Sequence, residues 1–207
     1  MTTSETLVIP APAPAGAGTR PLVIGLDIAL GITGVAGTGW TDIIRTGDRR
    51  AEERLIYIVK TAASYYRHAD YVVIEGPSYG SAKQTGHDEM SAARWMVRCD
   101  LHRRGIPCAV VPPDCRTIYA TGKARWKHPE SGRKLSSAEV KGMVRDAVYE
   151  RYGMPCDGAG RYDQADAYVL LAMGLDRLGS RLADVPEDHY RALAGCQWPG
   201  LGTRAVS

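Results

Sequence analysis

Hydrophobic and polar positions along this chain switch between two periods. The run LVIGLDIA is almost continuously apolar and reads as a central strand buried on both faces, while GITGVAG and WTDIIRT follow it across short glycine or polar breaks, spaced like a meander. The period then lengthens. In EERLIYIVKTAASYYRHA, Leu55, Ile58, Val59 and Ala62 recur at three- and four-residue steps, the stripe of an amphipathic helix, and YVVIEG after it is a second buried strand. Residues 88–104 place Met90, Ala93, Val97 and Leu101 on one helical face, stop at Gly105 and lead into the strand PCAVVPP. Residues 136–152 open with Ser136 and Glu139 in capping-box spacing, and residues 163–178 form a last helix. A helix between two strands implies a crossover and a parallel neighbour. The expectation is therefore an α/β fold: a mixed five-stranded sheet with helices on both faces.

The same pattern sets the expected boundaries. Residues 1–20, containing APAPAGAG, have no periodicity and read as a disordered Ala/Pro-rich leader. From residue 179 to 207 the periodicity weakens among scattered Pro and Gly, so this tail should hold at most a short helix plus loose chain. One domain over residues 21–178 is expected, in keeping with 207 residues of which 44% are apolar. No apolar run approaches the roughly 18 residues that span a bilayer, and the N-terminus lacks the charged start and apolar middle of a secretion signal. The five cysteines show no C-x-x-C spacing, so neither a disulfide framework nor a zinc site is suggested. A soluble cytoplasmic protein with no membrane partner is expected.

Charge changes the picture in one place. The formal net charge is only +3, but Arg116 to Arg145 carries eight Lys or Arg (Arg116, Lys123, Arg125, Lys127, Arg133, Lys134, Lys141, Arg145) against Glu130 and Glu139. Such a window is either a solvated loop or a surface that tracks phosphates.

The acids are the candidate chemistry. Asp27 lies on a strand that should be central, and an uncompensated carboxylate there costs several kcal/mol. Glu75 repeats the pattern at the end of YVVIE. In RYDQADAY, Asp163 and Asp166 stand three residues apart at a helix start and project from one face, with Cβ atoms about 5–6 Å apart. Each has a plain structural reading: a strand-end acid paired with an arginine for Asp27 or Glu75, a helix N-cap for Asp163, and a first-turn acid favoured by the helix dipole for Asp166. Taken together they point elsewhere. Two like charges 4 Å apart repel by about 4 kcal/mol even at an effective dielectric of about 20, so four converging carboxylates call for cations. Oxygen ligands suit Mg²⁺, with Mn²⁺ as a substitute, and a pair of such ions can stabilise both the attacking and the leaving oxygen of a phosphoryl displacement. Asp27 is then the central ligand, bridging two ions, with Glu75, Asp163 and Asp166 completing the cage.

The segments GLDIALGITGVA, VVIEGPSYG, VPPDCRTIYATGK and YDQADAYVLLA, in that order, resemble the RuvC-type Holliday-junction resolvases and the RuvC-like endonucleases of phages and bacteria, within the ribonuclease H-like superfamily. The resemblance covers roughly residues 21–178. It implies a ribonuclease H-like fold and a metal-dependent endonuclease, often a homodimer, that nicks branched DNA to leave 5′-phosphate and 3′-hydroxyl ends. Asp27, Glu75, Asp163 and Asp166 match its metal-binding acids. Tyr79 is the nearest candidate for the residue that such nucleases insert near the junction. The family's adjacent lysines before the ATGK turn are replaced by Thr117 and Ile118, and an insertion-like stretch, ARWKHPESGRK, follows. Its Arg125, Lys127, Arg133 and Lys134, interleaved with Trp126, suit a backbone-tracking loop. Lys123 and Lys134 are the candidates for contacts near the scissile phosphate. His87 has a helix-start role, and Trp95 and Met96 lie on a helix that is a candidate dimer face.

Other readings stand beside this one. An actin-like or sugar-kinase ATPase also opens with an acid and a turn like LGITG, but needs a second phosphate loop. A catalytically idle DNA-binding module would keep the fold and the basic loop. A pre-16S-ribosomal-RNA nuclease carries an arginine in its first motif, which DIALGITG lacks.

Overall fold

The computed structural model describes residues 20–77 and 86–200. Its strands are β1 (Val23–Asp27), β2 (Ile32–Gly37), β3 (Trp40–Arg45), β4 (Tyr71–Glu75) and β5 (Cys108–Val111). Its helices of two turns or more are α1 (Ala51–Tyr66), α2 (His87–Arg103), α3 (Pro113–Thr121), α4 (Ser137–Tyr152) and α5 (Arg161–Arg177). The sheet order is β3-β2-β1-β4-β5. β1 pairs antiparallel with β2 and parallel with β4, and β4 pairs parallel with β5, as the crossover helices require. The mixed five-stranded sheet expected from the sequence is present.

Alternation along the strands divides the core in two. Ile24, Leu26 and Ile28 face Ile58 and Ala62 of α1 and Ala93, Val97 and Leu101 of α2. Val23, Tyr71 and Val73 point to the other side, against Ala167, Leu170 and Leu171 of α5. Every residue from Ala165 to Leu175 is buried, because α5 lies on the sheet and is flanked by α3 and α4.

Helix boundaries follow local chemistry at three points. The α4 capping box forms as expected, Ser136 Oγ accepting from the Glu139 N–H and the Glu139 carboxylate accepting from the Ser136 N–H. α5 starts two residues before the expected Asp163, with Gly160 in the left-handed region (φ 102°) as its N-cap, so Asp163 is a first-turn residue and not the cap. The stretch after β5, where the hydrophobic pattern marks no element, is the short helix α3. Its proline-led start suits the first helical turn, and Gly122 (φ 88°) ends it.

Up to residue 200 the C-terminal segment is packed on the domain and not loose; residues 201–207 lie outside the described residues. A 3₁₀ turn (Glu187–Tyr190) and α6 (Arg191–Ala194) pack on α3, and Gln197 exchanges two backbone hydrogen bonds with Val110 of β5, at 3.1 and 3.2 Å. Residues 1–19 of the expected leader lie outside the described residues.

Candidate active site

The face on which Asp27 projects is set two residues at a time. It shares the α5 side of β1 with Val23 and Gly25. Parallel pairing of Leu26 with Ile74 puts Glu75, the last residue of β4, beside Asp27 on that same side. Asp163 and Asp166 arrive from the first two turns of α5. They come this close to the strand ends because two glycines let the helix backbone rest on the sheet. A Cβ on Gly25 would overlap the Ala167 carbonyl oxygen, and one on Gly34 would overlap that of Asp163. Gly34 is itself the ladder partner of Asp27, so the start of α5 is laid over this point of the β1–β2 pair.

The acids feel one another. Burial comes first in pushing the Asp27 carboxyl well above the usual carboxylate range, and the charges of Glu75 and Asp163 push it further, while Arg116 and Lys141 oppose the rise. Asp163 is also raised, by burial first, with Lys141 opposing and Glu75 adding to the rise. Among the described residues no hydrogen bond or ion pair reaches the Asp27 side chain. Glu75 and Asp166 are compensated by Arg116 of α3, whose Nε donates to Glu75 Oε1 at 2.7 Å and whose terminal nitrogen pairs with Asp166 Oδ1. The plain reading of a strand-end acid paired with an arginine therefore holds for Glu75, but not for Asp27.

The chemistry of these side chains suits a cation. All four contribute carboxylate oxygens, the donors that hard divalent cations take, and the mutual repulsion of Asp27 with Glu75 and Asp163 is what such a cation relieves. Among the described residues, however, no group of three or more His, Cys, Asp or Glu side chains is gathered closely enough to cage an ion. Glu75 and Asp166 are turned to the guanidinium of Arg116 instead. The donor set fits; its closure is incomplete.

Comparison with known proteins bears on the architecture. No family model matches the chain, and no curated protein matches it in sequence. Among solved structures, the chain is similar to the Thermus thermophilus RuvC structure (TM-score 0.55, 14% identity, covering 86% of this chain and 99% of that one). It is also similar to T. thermophilus RuvC in complex with Holliday junction substrate (TM-score 0.52, 19% identity, 80% and 99%). The fold is that of RuvC. The ribonuclease H-like architecture implied by the sequence resemblance is thus the one observed.

On this RuvC fold the basic insertion is a small hairpin and not an open loop. Lys127 and Lys134 form an antiparallel bridge, His128 N–H donates to the Arg133 carbonyl at 2.7 Å, and Leu135 N–H donates to the Trp126 carbonyl at 2.9 Å. Two of its cations have partners. Arg133 makes a bidentate pair with Glu139 at 2.8 and 3.0 Å, and Arg125 lies 3.5 Å from Asp114. Lys127 and Lys134 are exposed, and the ammonium of Lys123, also exposed, sits 5.0 Å from the centre of the Trp126 ring. Tyr79 lies outside the described residues. His87 is the exposed first residue of α2, as expected of a helix-start residue; Trp95, 59% exposed, carries the Arg98 guanidinium 4.2 Å above its ring.

Two residues of the site, Arg116 and Lys141, are in the sequence only members of a basic window. Nothing in the local pattern separates them from their neighbours. Their roles come from α3 and α4 packing alongside α5, which brings one charge from each helix within electrostatic reach of the acids.

Proposed function

We propose that this protein is a divalent-metal-dependent, structure-specific endodeoxyribonuclease that nicks branched DNA, four-way junctions foremost. What supports this reading is that Asp27 and Glu75 stand at the ends of β1 and β4, beside the start of α5 that carries Asp163 and Asp166, on a RuvC fold, with Asp27 raised by burial first and then by the charges of Glu75 and Asp163.

Asp27, Glu75, Asp163 and Asp166 would hold the cations, with Asp27, which feels both Glu75 and Asp163, as the shared ligand. Bound Mg²⁺, or Mn²⁺ in its place, supplies charge neutralisation and an acidified water for phosphodiester hydrolysis. The protein's own side chains do the rest. The acid cluster lies at the C-terminal edge of β1 and β4, where the strand ends fix the carboxylates on rigid backbone. Lys141, whose charge opposes the rise at both Asp27 and Asp163, would hold a phosphate oxygen against the acids. Lys123, Lys127 and Lys134 extend that cationic track along the DNA backbone, with Trp126 available to stack, while Arg125 and Arg133 act through their partners Asp114 and Glu139. Tyr79 keeps its assignment as the residue that enters the junction. Paired symmetric cuts would require a homodimer, for which the exposed Trp95 face of α2 is the candidate surface.

The test is cleavage of end-labelled four-way junction, flap, linear duplex and RNA substrates in Mg²⁺ by wild type and Asp27→Asn. Junction nicking that drops at least about a thousandfold in Asp27→Asn, with binding retained, is expected. Normal cutting by that variant would remove Asp27 from the chemistry. Binding without cleavage by the wild type would leave an idle DNA-binding module.

A further inference from the structure

Arg116 is the buried charge that the proposed chemistry does not use. It is 7% exposed, and its guanidinium serves two of the four acids at once: Nε on Glu75 Oε1 at 2.7 Å and a terminal nitrogen on Asp166 Oδ1. Among the described residues neither that nitrogen nor Asp166 Oδ1 has any other hydrogen-bond partner. The fork is delivered on an anchored helix. The last carbonyls of α3 are held from three directions: His189 Nδ1 lies 2.9 Å from the Tyr119 carbonyl, Arg151 donates to Tyr119 and Ala120 at 3.2 and 3.1 Å, and Arg191 donates to Gly122. Thr117 Oγ1 adds a bond back to the Pro113 carbonyl at 3.0 Å.

Accepting the metal-nuclease reading, on which this step rests, we infer that Arg116 is an internal competitor for the divalent cation. A cation can use Glu75 and Asp166 fully only by exchanging their contacts with Arg116 for its own, while Asp27 and Asp163, which have no ion-pair partner among the described residues, respond to it first. Arg116 thereby sets a weaker cation affinity than four free carboxylates would give. By linkage, cation binding must loosen the Arg116 pairs to the same degree that those pairs weaken cation binding.

The test is Mn²⁺ binding by the full chain, followed through the spin-resonance signal of free Mn²⁺ and by calorimetry, for wild type, Arg116→Gln, Arg116→Lys and Asp27→Asn. Arg116→Gln should bind Mn²⁺ about tenfold more tightly than wild type, within the usual range of coupling between sites. Asp27→Asn should bind most weakly. Equal or weaker binding by Arg116→Gln, with clear binding by wild type, would overturn the inference and leave the metal-nuclease reading standing. No Mn²⁺ binding by the wild type would overturn that reading itself. A second measurement does not depend on the variant folding: in arginine-¹⁵N-labelled wild type, the Arg116 Nε–H resonance should shift and lose its protection from solvent exchange on saturation with Mg²⁺. A resonance that stays in place while Mg²⁺ binds would count equally against the competitor role.

Discussion

Asp27 and Asp100 are each 6% exposed, yet their surroundings treat the charge in opposite ways. Asp100, on α2, receives the Tyr66 hydroxyl at 2.8 Å, Arg103 at 2.9 Å and Arg104 at 2.6 Å. Burial works against its ionised form, but the hydrogen bonds from Arg104 and Tyr66 outweigh it and hold the carboxyl below its usual range. Among the described residues Asp27 has no such donor and has Glu75 and Asp163 for neighbours, so burial and like charge act together. Burial alone therefore does not mark a functional acid. What separates the two is whether the fold completes the carboxylate with donors or leaves that task to something else.

The largest combined loss of stability and cleavage should come from dismantling the Asp27 side of the comparison by sterics alone. In Gly34→Ala the new methyl would overlap the Asp163 carbonyl oxygen, so the start of α5 must move off β2. Overpacking of this kind costs about 1–3 kcal/mol, and a displacement of about 1 Å at the acids would cost cleavage about a hundredfold. Chemical denaturation and junction-nicking rates measure the two. Asp100→Asn comes next: it should destabilise by roughly 1–3 kcal/mol and leave cleavage per folded molecule unchanged. Because folding lowers the affinity of Asp100 for its proton, that loss should be full at neutral pH and shrink as pH falls through the carboxylate range.

Asp27→Asn should have the opposite sign. In EDTA it should stabilise the protein by about 1–2 kcal/mol at neutral pH, as removal of an uncompensated buried charge does. Since the folded-state carboxyl binds its proton more tightly than the unfolded one, wild-type stability falls as pH rises from the usual carboxylate range through the raised one, and the advantage of the variant should vanish in acid. A thermal melt series from acid to neutral pH, run on both variants, checks both signs; destabilisation by Asp27→Asn at neutral pH would refute the contrast. The smallest effect is expected at the exposed hairpin. Lys127→Ala should weaken junction binding modestly and reduce the salt slope of the affinity by about one, with no change in stability.

Much of this arrangement is legible in the chain. The central strand that carries Asp27 follows from its apolar run and the strand end at Glu75 from a run that stops on an acid, the paired Asp163 and Asp166 from three-residue spacing, and the sheet from the alternation of the two periods. The true start of α5 is hidden because Gly160 caps it through a left-handed backbone, which leaves no side-chain cap to find. α3 escapes the pattern because its nine residues are too few to display a helical period behind two prolines.

The local rules that determine strands, helices and caps act over a few residues, and the sequence by itself determined which acids stand at element ends and that helices separate the parallel strands. Arg116 was different: its value depends on Glu75, 41 residues earlier, and on Asp166, which reach it only after α3 and α5 have packed on the sheet. The same holds for Lys141, whose charge α4 brings within electrostatic reach of Asp27 and Asp163, and for the two glycines that let α5 touch the strands. Charge compensation is a property of distances between segments remote in the chain, and only the tertiary structure decided which carboxylate is satisfied and which is left wanting a cation.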